Sequence, residues 1–109
     1  MSGHPVYPNL FRPVAVGRLT LPNRLVMAPM ISLYASYGGQ VTTHLVDHYA
    51  ARARGGVGLI VVEASYVSAA GRNFNRQLAV DHDGCVPGLT QLAAAIRREG
   101  ARAAVQLVH

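Results

Sequence analysis

The sequence predicts an α/β fold with parallel strands, and three observations carry that prediction. Short, continuous apolar runs alternate with helical patterns in the order β-α-β-α-β. Both helical patterns end at glycine and turn back into the next apolar run almost at once. Each of the first two apolar runs, by contrast, reaches its helix only after a long excursion. The order implies right-handed crossovers between parallel strands, so both long connections lie beyond the carboxyl ends of the strands, where α/β proteins bind their ligands.

The first element is "PVAVGRLTLPN", whose apolar residues alternate on either side of Gly17-Arg18 and predict a small hairpin. Three strands follow at Arg24 to Ala28, Val57 to Glu63 and Ala103 to Val108. They are short and rich in branched residues, as expected of strands covered on both faces. In "TTHLVDHYAARARGG", Leu45, Tyr49 and Ala53 recur at i, i+4 and i+8, with Thr42 or Thr43 as cap and Gly55 or Gly56 as stop. Arg52 and Arg54 fall in the last turn, where the helix dipole favours cations. In "PGLTQLAAAIRREGA", Leu89, Leu92, Ala93 and Ile96 form one face, and Arg97, Arg98 and Gly100 repeat the ending. The connections Pro29 to Val41 and Ala64 to Val86 are long for structureless loops, a length that points to function.

Composition narrows the function classes. The chain has 109 residues, half of them hydrophobic, which suits one small domain. Its single cysteine, Cys85, excludes an internal disulfide framework and fits a reducing cytoplasm. The opening "MSGHPVYPNL" lacks a secretion pattern, and no apolar run is long enough for a membrane span, so no membrane association is expected. The net charge of +5 comes from ten arginines and no lysine, but they are scattered and form no basic stripe, which argues against nucleic acid.

No metal site is expected. His44 and His48 have a zinc-compatible spacing, but the catalytic pattern needs Glu directly after the first His, and Leu45 stands there. The pair reads as a partly solvated helix face. Asp81, His82 and Asp83 read as the lead into the second helix, and Cys85 as a small filler near its start. "GGVG" at Gly55 to Gly58 precedes a strand instead of following one, which excludes a phosphate loop.

The segments "LFRPVAVGRLTLPNRLVMAPM", "HYAARARGGVGLIVVEAS", the pair Gly71-Arg72 and the final "QLVH", in this order and spacing, resemble the N-terminal part of the old yellow enzyme family. These are the NADH:flavin oxidoreductases, including ene-reductases and dienoyl-CoA reductases, and the resemblance runs from about Asn9 to His109. It implies the N-terminal part of a TIM (β/α)8 barrel: a capping hairpin, about three parallel strands and two helices. Residues 1–109 are then an incomplete portion of a single FMN-binding domain.

The resemblance also implies site residues. Ala28, Pro29 and Met30, with Ile31, would run under FMN; Ala64 would contact its ring; Gln106 would hydrogen-bond its pyrimidine edge. An amide offers donors and acceptors to a heterocycle and stays un-ionised inside an apolar barrel. Tyr34 and His109 are candidates on the substrate side, set against ordinary readings as a loop-packing tyrosine and a strand-end histidine. The implied activity is hydride transfer from NADH or NADPH through FMN to an activated alkene, an enone or an enoyl thioester. The phosphate grip, substrate anchors and proton donor would come from the rest of the barrel, in the same or a complementing chain, so no catalytic residue is expected here. The complete enzyme could form a homo-oligomer.

The alternative is a truncated or split-barrel subunit without activity of its own, acting by association with a complementing chain. A flavodoxin-like or Rossmann-type domain is disfavoured by the initial hairpin and by the lack of a glycine-rich turn after the first strand. One position departs from the family pattern. Ile31 stands where Thr or Cys commonly follows Pro-Met, and it cannot donate a hydrogen bond to the flavin. An altered reduction potential is expected, unless a shifted loop lets Ser32 take over.

Overall fold

Strands β1 (Val14–Val16) and β2 (Leu19–Leu21) form the expected antiparallel hairpin in the computed structural model, which describes residues 4–109. Residues 1–3 of the opening stretch lie outside the described residues. Gly17 turns the hairpin at φ 59°, a left-handed conformation that glycine adopts without steric cost. Leu21 is buried, and Arg102 donates from Nε to the Thr20 carbonyl at 3.3 Å. Because Arg102 begins the last strand, the hairpin sits at the amino end of the sheet, opposite the long connections.

Strands β3 (Val26–Met27), β4 (Leu59–Tyr66) and β5 (Arg102–Val108) lie in that order, all parallel. Helix α1 (Thr43–Arg54) joins β3 to β4, and α2 (Val86–Arg98) joins β4 to β5. Thr42 caps α1: its backbone is extended and its hydroxyl accepts from the Leu45 N–H at 3.1 Å. Leu45, Tyr49 and Ala53 are all buried, as their spacing predicts. On α2, Leu92 and Ile96 are buried while Leu89 and Ala93 are half-buried. These residues meet Ile60 and Val62 of β4 in one apolar core, where each fully buried aliphatic side chain contributes roughly 1.5–3 kcal/mol.

The chain enters β3 through Asn23, which is buried. Its Nδ2 donates to the Gly56 carbonyl at 2.7 Å, and its Oδ1 accepts from the Leu25 N–H at 3.0 Å. This contact explains the glycine before β4. A Cβ on Gly58 would lie 2.5 Å from Asn23 Oδ1, so no larger residue fits without moving Asn23.

Three details differ from the sequence expectations. The first strand is only two residues long, while β4 runs past Glu63 to Tyr66. The register explains the extension: Val62 pairs with Val105 but Ser65 with Leu107, so β4 holds one extra residue and bulges. The second long connection is not structureless, since Ala79 bridges to Tyr66 and short 3-10 turns form at Ala69–Gly71 and Asp83–Cys85. Finally, the strands are covered on one face. Val26 is 52% exposed on the other.

Candidate functional site

The bulge in β4 turns two consecutive side chains toward the helical layer. Val62 joins the core, and Glu63 is fully buried against α1. A buried carboxyl group is tolerated only where its oxygens are hydrogen-bonded, and here both are. Oε1 accepts from Ser32 Oγ at 2.7 Å and from the Tyr49 hydroxyl at 2.9 Å, and Oε2 accepts from the Ser32 N–H at 3.4 Å. The Glu63 N–H in turn donates to the Tyr49 oxygen at 3.0 Å. Burial, reinforced by the Glu63 carboxyl group, pushes the Tyr49 hydroxyl far above the ordinary tyrosine pKa, so it remains a donor throughout the physiological range.

This network fixes the first long connection. Ser32 Oγ also accepts from the Tyr34 N–H at 3.2 Å, which holds the intervening Leu33 at φ 65°. A bulky residue in that left-handed region is strained, and it persists only where neighbours over-determine it. The Ser32 hydroxyl proton is committed to Glu63, so Ser32 is not free to replace the donor that Ile31 lacks. The exception that a shifted loop would have allowed does not arise in this arrangement.

The second connection is tied to the first. Arg72 donates from Nε to the Phe74 carbonyl at 3.0 Å and from Nη2 to the carbonyls of both Tyr37 and Asn75. The Arg76 guanidinium stacks 4.2 Å from the Tyr37 ring centroid. Gln77, fully buried, donates to the Ala64 carbonyl at 3.1 Å and accepts from the Asn73 N–H at 2.7 Å. Gly71 packs against the last residue: a Cβ there would lie 2.6 Å from the His109 backbone.

On this scaffold the residues singled out from the sequence separate into two groups. Ala28, Pro29, Met30 and Ile31 follow β3 directly; Ala28 is exposed, Met30 is 58% exposed, and Pro29 and Ile31 are half-buried. Ala64 lies between the helix-facing Glu63 and Ser65, and Gln106 alternates with Val105, which lines an apolar groove against α2. Strand alternation therefore places Ala64 and Gln106 on the open face. Gln106 is exposed there, and among the described residues its side-chain amide makes no hydrogen bond. Small and apolar groups around one unpaired, un-ionised amide fit a flat, polar-edged heterocycle.

Tyr34 belongs to the second group. Its ring stacks on His44 at 3.8 Å and meets His48 edge-on at 5.1 Å, packed along α1. That stack accounts for both histidines. Burial, followed by the nearby Arg52, holds the His48 pKa below its ordinary value. His109 is exposed at the end of β5, beside Gly71. Sequence reasoning missed Glu63, Tyr49 and Gln77 as polar members of the site scaffold. The signal was available for Glu63, because a carboxylate inside an apolar strand run needs a partner.

The family model described as "NADH:flavin oxidoreductase / NADH oxidase family" matches residues 9–109. A curated NADH oxidase of Thermoanaerobacter brockii is 42% identical over 104 residues, which are 94% of this chain and 16% of that protein. A 2-naphthoyl-CoA reductase solved with 2-naphthoyl-CoA superposes with a TM-score of 0.92 at 30% identity, over 95% of this chain and 16% of that one. The old yellow enzyme homologue from Zymomonas mobilis superposes with a TM-score of 0.84 at 29% identity, over 94% and 28%. The chain thus spans less than a third of each of these three proteins. The hairpin, three parallel strands and two helices are a portion of the TIM barrel of these enzymes. With a family model covering all but its first eight residues, the chain belongs to the NADH:flavin oxidoreductase / NADH oxidase family.

Proposed function

We propose that this chain forms one wall of the FMN site in a barrel that passes hydride from NADH or NADPH to an activated alkene, an enone or an enoyl thioester. The observation that carries the reading is the open face at the strand ends, where Gln106 presents an unpaired amide beside Ala64 and the Ala28–Ile31 segment. FMN, when bound, supplies the hydride relay. Gln106 would orient the flavin edge, Ala28 and Ala64 would allow close approach of the ring, and Met30 and Ile31 would exclude water beneath it. Ile31 offers no hydrogen bond, so the flavin's reduction potential would be set by other groups.

The rest of the barrel, in the same or a complementing chain, would cover the open face and supply the proton donor and phosphate grip. An exposed apolar side chain on that face, Val26 at 52%, favours such a completion. No helix among the described residues is long and apolar enough to cross a membrane. A cytoplasmic location is proposed on the single free cysteine.

The test is to release the flavin from the complete natural protein, identify it, and assay NADH- and NADPH-dependent reduction of 2-cyclohexenone and crotonyl-CoA under anaerobic conditions. The expected result is FMN near one equivalent and turnover of at least one alkene. A protein that holds no FMN would refute the reading.

A further inference from the structure

Three side chains at the entrance to α2, outside the proposed flavin wall, converge on one point. Asp81 Oδ1 lies 2.7 Å from His82 Nδ1, Cys85 Sγ lies 3.5 Å from the same Nδ1, and Sγ lies 3.9 Å from Asp81 Oδ1. The 3-10 turn Asp83–Cys85 brings Cys85 back over the two preceding residues. A Cβ on Gly84 would meet His82 Nε2 at 2.8 Å, so a larger residue there would displace the imidazole from this point. Reading the sequence, Asp81 and His82 looked like a lead into the helix, because nothing local showed that Cys85 joins them.

Two chemistries use these three residue types, and the geometry separates them. A nucleophilic relay needs the thiol on one imidazole nitrogen and the carboxylate on the other. Here both face the same Nδ1, so no relay can form. Convergence on one point is the arrangement of a metal's ligands. With Zn–S of about 2.3 Å and Zn–N of about 2.0 Å at tetrahedral angles, a sulfur–nitrogen edge is about 3.5 Å, which matches the separation found.

We infer that Asp81, His82 and Cys85 form a three-ligand site for a divalent cation of zinc type, held by Oδ1, Nδ1 and Sγ. On binding, the thiol releases its proton to solvent, the imidazole coordinates through Nδ1 as its neutral Nε2–H tautomer, and the short Asp81–His82 contact opens to a ligand–ligand edge. Cys85 and Gly84 also line a cleft of about 200 Å³ with Gly39, Gln40 and Gly88.

The test is a calorimetric zinc titration of the reduced, complete protein, with X-ray absorption at the zinc edge. One equivalent should bind with sulfur and nitrogen or oxygen in its shell. Cys85→Ser, His82→Asn and Asp81→Asn should each weaken it at least about tenfold, since even supporting groups around metal ligands carry that much. His44→Gln should leave binding unchanged, and unaltered circular dichroism of the metal-free variants would show that they fold. Absence of one-equivalent binding, a sulfur-free shell, or an affinity that Cys85→Ser leaves intact would overturn the site.

Discussion

The two faces of the same three strands are built to different rules. On the face covered by α1 and α2, Ile60 and Val62 are buried with Leu45, Tyr49, Leu92 and Ile96, and the buried carboxyl of Glu63 is matched by donors. On the other face, Val26 is 52% exposed and the Gln106 amide has no partner among the described residues. The contrast teaches that the covered face is a finished core, whereas the open face is a prepared surface. There Val26 and the Gln106 amide are left uncovered among the described residues.

The largest expected effect tests that contrast with one chemical change made on each face. Val62→Ala should cost about 2 kcal/mol by lost burial and cavity formation, whereas Val26→Ala should cost below about 0.5 kcal/mol, as exposed substitutions do. Urea unfolding of the 109-residue chain would measure both. Equal losses would mean that the faces are not distinct in energy.

A smaller effect sharpens the account of the covered face. Tyr49→Phe leaves the Glu63 N–H and one carboxyl oxygen each short of a partner in a sealed site, and should cost about 1–3 kcal/mol. Because Glu63 also holds Ser32, proteolysis between Pro29 and Leu33 should accelerate in the variant. A variant cleaved no faster than the parent would detach the buried network from the loop.

The smallest effect is electrostatic. The folded His48 pKa lies below its ordinary 6.5, so the unfolded chain binds that proton more readily. Stability from this group is therefore present above about pH 6.5 and is lost as the pH falls through the folded value. Thermal unfolding followed from pH 8 to about pH 5 should decline less steeply in His48→Gln. An identical decline in both proteins would remove His48 from the account.

What was legible in the sequence follows from the range of the interactions. Leu45, Tyr49 and Ala53 announce a buried helix face because the period is local, and Thr42 announces the cap because it acts on Leu45, three residues away. The β-α-β order and the resemblance to the flavin oxidoreductases also lie along the chain. Glu63 announces that it needs partners, but their identity is hidden, because Ser32 and Tyr49 are 31 and 14 residues distant and no pattern links them. The bulge that turns Glu63 toward α1 depends on pairing with β5. Arg72 is legible only as part of the family resemblance, since its acceptor on Tyr37 lies 35 residues away.

The proposal that the open face is a flavin wall is tested most directly by the FMN dissociation constant of the complete protein, compared with that of Gln106→Leu. The amide is exposed and makes no hydrogen bond among the described residues, so the substitution should leave the melting temperature of the flavin-free protein unchanged. FMN affinity should fall about tenfold or more, the equivalent of one or two hydrogen bonds. An unchanged dissociation constant would contradict the assignment of this face to the flavin.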